Sequence, residues 1–269
     1  MKFDLHVHSN LSYDADMTTS EMVEAARAKG LTGVAVCDHN AFRIHRPRKD
    51  FYMIPACEFS TDVGHLIVYF QKEHIKESLP RDEHDRFYWR DICKAAHEQG
   101  ALVFLAHPYA PVRERSEALF REIDGIEIFN SRVVHSRKRN ANDDALTLCR
   151  RLDKPFSAGS DAHCTSEVGA TYWECDLPDS AIDDPDFEEK LKEALLNRRG
   201  RVFAGASSPF DVLRCKRLTY RREGLWGRLM KSYFYLIITV IKSIFTKKFE
   251  PHYIDVEPYV EEETKDDII

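Results

Sequence analysis

Seven short apolar runs recur along the first 205 residues, and nearly every one is flanked by a side chain able to bind a metal. The runs cover residues 3–8, 33–37, 52–57, 65–70, 102–106, 125–129 and 156–159, each of strand length and rich in β-branched or aromatic residues. Between them, residues 19–29 (after the cap-like "TTSE"), 82–99, 116–122, 142–152 and 186–199 carry helical patterns, two of which stop at Gly100 and Gly200. Strand–helix alternation of this kind predicts a mainly parallel sheet covered by helices, open or closed into a barrel. In barrels the C-terminal strand ends share one rim, so residues distant in sequence can meet there.

Within "DLHVHSNLSYDAD", residues 4–16, His6 and His8 are two apart, and on an extended strand both point to the same face. Asp38 and His39 follow in "VCDHN", Glu58 in "CEFS", His65 in "GHLIVYF", His107 in "LAHP", Asn130 in "IFN", and Asp161 with His163 in "GSDAH". Neutral imidazole and carboxylate are ligands of borderline divalent metals, and a carboxylate can bridge two ions. A single strand histidine is ordinarily a hydrogen-bonded polar residue. Six of them with several acids at strand exits point instead to a metal site.

These ordered motifs resemble the PHP (polymerase and histidinol phosphatase) superfamily of metal-dependent phosphoesterases over residues 1–205, with 160–205, including "GRVFAG", similar to the PHP-associated C-terminal part of short members. The resemblance implies an α/β fold, a distorted seven-stranded (β/α)7 barrel, here followed by a C-terminal amphipathic helix. It also implies a cluster of two or three divalent ions (Mn, Zn or Fe). One ion would take His6, His8, Glu58 and Asp161; a second Glu58, His65 and His107; a third Asp14, His39 and His163. Tyr13 separates Ser12 from Asp14, whereas many members place the acid directly after the serine, so Asp16 competes for the role of Asp14. Asp4 and Asp38, with Asn130, are expected behind the ligands, the two acids accepting the second N–H of a ligating imidazole. Asp4 reads equally well as a salt-bridged strand-end residue.

The implied activity is hydrolysis of a phosphomonoester or phosphodiester by water activated on clustered ions, with Asp161, His107 and His163 as catalytic candidates. His107 or His163 would protonate the leaving group, unless a residue behind the ligands or a water does so. A compact protein of this type resembles nucleotide phosphatases and 5′→3′ exonucleases on short oligonucleotides. A histidinol-phosphate-type phosphatase, an amidohydrolase-type barrel and a metal-stabilised structural or regulatory domain are the alternatives. Phosphate recognition would draw on arginines: Arg43, Arg46 and Arg48 with Lys49 after the second strand, and Arg132, Arg137 and Arg139 after the sixth, with His135 beside them. No P-loop or Gly-x-Ser-x-Gly elbow occurs.

The net charge of −6 conceals an asymmetry. Residues 214–248 hold ten Lys/Arg against one acid, Glu223, while 249–269 hold eight acids against one Lys, leaving −8 for residues 1–213. The mildly acidic globular part gives no support for a stable nucleic-acid complex. Seven scattered cysteines without CxxC spacing argue for reduced thiols, and with no signal-peptide pattern they predict a cytoplasmic protein. Residues 206–248 form a basic, helical segment. In 225–246 the residues facing Arg228 are polar or basic and the opposite side is apolar. That helix could pack on the barrel or a partner subunit, lie in an anionic inner-membrane interface, or span a bilayer. The tail 249–269 is expected to be disordered.

Overall fold

The computed structural model describes residues 1–45, 48–76, 78–110, 115–136, 138, 140–245 and 248–256. All seven expected runs form strands: β1 Lys2–Val7, β2 Gly33–Val36, β3 Tyr52–Thr61, β4 Gly64–Tyr69, β5 Leu102–Leu105, β6 Gly125–Asn130 and β7 Phe156–Gly159. Three more, β8 Tyr172–Glu174, β9 Arg201–Ala204 and β10 His252–Ile254, extend the sheet to the order β10-β9-β8-β1-β2-β3-β4-β5-β6-β7. The pairs β1/β2, β2/β3, β5/β6 and β6/β7 are parallel. β4 runs antiparallel to both neighbours, because only Asp62 and Val63 link it to β3 and so short a link can only make a hairpin.

The sheet curls until β7 returns to β1. Past the end of β7, Asp161 N–H donates to the His6 carbonyl and His8 N–H to the Ala162 carbonyl, both at 2.8 Å. Gly159 makes this approach possible, since a Cβ there would sit 2.4 Å from the His6 Cβ and 2.5 Å from its backbone nitrogen. The result is an α/β fold around a curled, half-barrel sheet whose inner core includes Phe3, Leu5, Phe59, Tyr69, Phe104 and Phe156.

The helices are α1 Thr19–Ala28, α2 Trp89–His97, α3 Glu117–Glu122, α4 Ala141–Arg151, α5 Phe187–Leu196, α6 Pro209–Arg222 and α7 Trp226–Phe245. The Thr18/Glu21 capping box starts α1, as "TTSE" predicts. α2 begins later than the expected residue 82. There the Asp82 carboxylate accepts from the backbone N–H of His84 and Arg86, forming a turn, and buried Phe87 bridges to the end of β3. The basic segment folds as two helices, with Ser208 capping α6, Pro209 in its first turn and Gly224 at φ +67° ending it.

Candidate metal centre

β1 is buried from Phe3 to Val7, and His6 within it and His8 just past its end are both fully buried, their Nε2 atoms 3.1 Å apart. Glu58, on β3, lies between them and three further histidines. Its Oε1 is 2.8 Å from His65 Nδ1 and 3.0 Å from His107 Nε2, and its Oε2 is 2.9 Å from His39 Nδ1 and 3.6 Å from both His6 and His8 Nε2. The reversed direction of β4 brings His65 here, at the strand's start and in register with Ser60. Asp161 Oδ1 stands 3.2 Å from His8 Nε2, 3.7 Å from His6 Nε2 and 3.6 Å from His163 Nδ1. Asp14 Oδ2 lies 3.1 Å from His163 Nε2 and 3.5 Å from His39 Nε2. All nine expected ligand residues thus meet in one place, and Asp16 instead turns outward to Arg214 at 2.7 Å.

The donor set fits divalent ions. His6, His8 and Glu58, then His39, Glu58 and His65, then His8, His39 and His163 each offer ligand atoms within 4.8 Å of one another. A ring N···N separation of 3.1 Å is about the edge of a coordination polyhedron with metal–nitrogen bonds of roughly 2.0–2.1 Å. Asp14 Oδ1 is buried with no hydrogen-bond partner. Burial, reinforced by His163 and His39, pushes His8 down to about 3 and keeps it a neutral imidazole. Burial opposes the charges of Glu58 and Asp161, yet the surrounding imidazoles hold both carboxyls well below their ordinary range. For His39 burial works against protonation, but Glu58 and Asp14 prevail and push it up to about 10. His107 and Asp161 also adopt positive φ, 25° and 56°, a conformation that non-glycine residues rarely hold outside constrained sites.

The supporting residues differ from expectation. Asp4 does not accept from an imidazole. It takes backbone N–H groups of His6, Ser160 and Gly169 and the Ser160 hydroxyl, and so ties β1 to the loop after β7. Burial raises its carboxyl to about 6. Asp38 reaches His8 only through Ser12, whose Oγ donates to Asp38 at 2.8 Å and lies 3.2 Å from His8 Nδ1. The acceptor for His6 is Glu127, at 2.8 Å from Nδ1, which also takes the His107 backbone N–H at 2.7 Å. Its signal in the sequence is a lone acid inside the apolar run "GIEIF". Asn130 Nδ2 donates to Glu127 at 3.2 Å and to Asp161 at 3.3 Å.

On the substrate side, Arg132 is largely buried. Burial disfavours its charge, but Asp161 and Glu167 raise its pKa, and Nε stands 3.1 Å from Glu167 Oε1. Arg43 is exposed on the loop after β2, Arg48 is exposed with a hydrogen bond to Ser20 at 3.4 Å, and His135 is bonded to the Ser207 carbonyl at 2.6 Å. Arg46, Arg137 and Arg139 lie outside the described residues. Tyr13, which is exposed, stacks on His39 with ring centres 5.4 Å apart.

Comparison with known proteins accords with this geometry. A family model described as the PHP domain matches residues 4–112, and one described as PHP-associated matches 139–199. An uncharacterised protein of Methanocaldococcus jannaschii is 34% identical over 181 residues, covering 64% of this chain and 69% of its own. A protein of Syntrophotalea carbinolica described as a probable phosphatase is 29% identical over 203 residues, 62% of this chain and 82% of that one. In three dimensions, a two-domain Bacteroides vulgatus protein containing a predicted PHP-like metal-dependent phosphoesterase superposes with a TM-score of 0.56 at 18% identity, over 82% of this chain and 69% of that one. With its ordered motifs, both family models and a relative above 30% identity, the chain belongs to the PHP family.

Proposed function

We propose that this protein is a metal-dependent phosphoesterase acting on phosphomonoesters or short phosphodiesters, with nucleotides and 5′-phosphorylated oligonucleotides as its substrate class. The observation that carries the reading is the meeting of five imidazoles around the two oxygens of Glu58. The relatives' descriptions point to the same reaction class.

His6, His8, Glu58 and Asp161 would hold one ion, Glu58, His65 and His107 a second, and Asp14, His39 and His163 a third, with Mn, Zn or Fe as candidates. Such ions supply Lewis acidity and a nucleophilic water at neutral pH. The chain's own groups do the rest. Glu127 and Ser12 orient the His6 and His8 rings, and Asn130 holds the Asp161 carboxylate. Arg132, whose charge Asp161 and Glu167 favour, would be the guanidinium that takes phosphate oxygens, which its fork geometry suits. The exposed Tyr13 ring offers a surface on which a base can stack.

The test is a screen of metal-reconstituted protein against nucleoside bisphosphates, 5′-phosphorylated oligonucleotides, sugar phosphates and histidinol phosphate. Turnover of the nucleotide substrates should exceed that of histidinol phosphate by at least about tenfold, the discrimination one well-placed contact supplies. Hydrolysis of none of them would overturn the proposal.

A further inference from the structure

β9 and β10 pair antiparallel, Ala204 opposite His252, so α6 and α7 form a helical hairpin inserted between two neighbouring strands and anchored at both ends. α6 is fastened to the loop that carries Asp14: Arg222 donates to the carbonyls of Tyr13 (2.8 Å) and Ala15 (3.0 Å), and Arg214 pairs with Asp16. α7 packs on α6 through Leu229 and Ser232, 4% and 2% exposed, with Arg217 Nε donating to the Ser232 hydroxyl at 3.2 Å. Packed this way, α7 turns a small, partly polar side inward. Of the placements the sequence leaves open, packing of the apolar face on the barrel is not what the described residues show, since Trp226, Met230, Phe234, Ile237 and Ile241 stay exposed.

Trp226, Met230, Phe234, Ile237 and Ile241 recur at steps of four, four, three and four, which sets them on one arc of about 80°. Each is between 52% and 67% exposed. Lys231 stands exposed on the flank of this stripe, Arg228 is exposed on the opposite side of the helix, and Arg221 and Arg222 are exposed at the turn. No helix among the described residues is long and apolar enough to cross a membrane. A second copy laid stripe to stripe would bring together two segments that each carry ten Lys/Arg and one acid, and like charges would oppose the pairing. A surface of anionic lipid suits the apolar stripe together with the net basic charge of the segment that carries it, ten Lys/Arg against one acid over residues 214–248.

We propose that α7 lies flat in the interface of an anionic membrane, its stripe among the acyl chains, Lys231 on its flank at the headgroups, and the hairpin's remaining basic residues adding long-range attraction to the anionic surface. The inference stands apart from the hydrolytic reading, because its test reads binding and not turnover. The full-length protein is sedimented with vesicles of phosphatidylcholine alone and of equal parts phosphatidylcholine and phosphatidylglycerol. It should partition onto the anionic vesicles only, less so as salt is raised. Phe234→Ser with Ile237→Ser should weaken that partitioning by at least about tenfold. An unchanged melting temperature of this double variant, whose replaced side chains are exposed, verifies that it is folded. Absence from the anionic vesicles, equal affinity for neutral ones, or undiminished binding by the folded double variant would overturn the proposal. So would a dimer in light scattering that the double variant dissociates while no vesicle is bound, since the stripe would then belong to a second copy.

Discussion

Because both oxygens of Glu58 lie within 3.0 Å of imidazoles carried by β4 and by the segments after β2 and β5, the centre is a junction and not a row of independent sites. Its ring orientations are set from behind by Glu127, which fixes His6 and the His107 backbone together. Glu127→Gln should therefore lower metal affinity by about 10–100-fold while sparing turnover at saturating metal, as read by titration with a competing chelator. Protons compete at the same atoms. In the metal-free protein burial opposes the charge of His6 and His39, but neighbouring carboxylates raise both, His39 to about 10, so at neutral pH His39 carries a proton that an ion must displace. Metal binding should release protons, and affinity should fall as pH is lowered. Calorimetry in two buffers of different ionisation enthalpy checks this, and binding without proton release would contradict it. The candidate residues were legible in the sequence because histidine pairs and strand-end acids stand out against apolar runs. Glu127 was not legible, since a single acid in a strand does not reveal which side chain it will face.

At the scale of elements, the seam between β1 and β7 decides whether His6 and Asp161 share a site. Gly159→Ala would place a methyl group 2.4–2.9 Å from three His6 atoms, two of which, the backbone N and Cα, belong to the strand itself, so the strands must part. We expect a loss of about 1–3 kcal/mol, the ordinary cost of overpacking, together with reduced turnover. Differential scanning calorimetry measures the first, and an unchanged melting temperature would show that the seam is loose. The seven strands were legible because each is a buried apolar run long enough to read alone. β8, β9 and β10 are only partly buried, so none is a continuous buried apolar run, and their pairing depends on partners far away in sequence. The early start expected for α2 failed because burying Phe87 against β3 outweighs local helix preference.

For the whole molecule, the charge map divides the labour. An acidic body with a buried imidazole–carboxylate cluster is joined to a basic hairpin that presents an apolar stripe outward. The asymmetry was visible in the sequence, whereas the direction the stripe faces required the packing of α7 on α6. All seven cysteines are free and buried, so no disulfide braces the hairpin against the body. Bound ions should instead contribute to stability, since ligands that bind only the folded state raise its melting temperature with concentration. The most direct test of the central claim is phosphate release by the chelator-stripped protein before and after Mn, Zn or Fe is returned. The account predicts that turnover disappears on stripping and comes back with at least one of these ions. Undiminished turnover in chelator would contradict it.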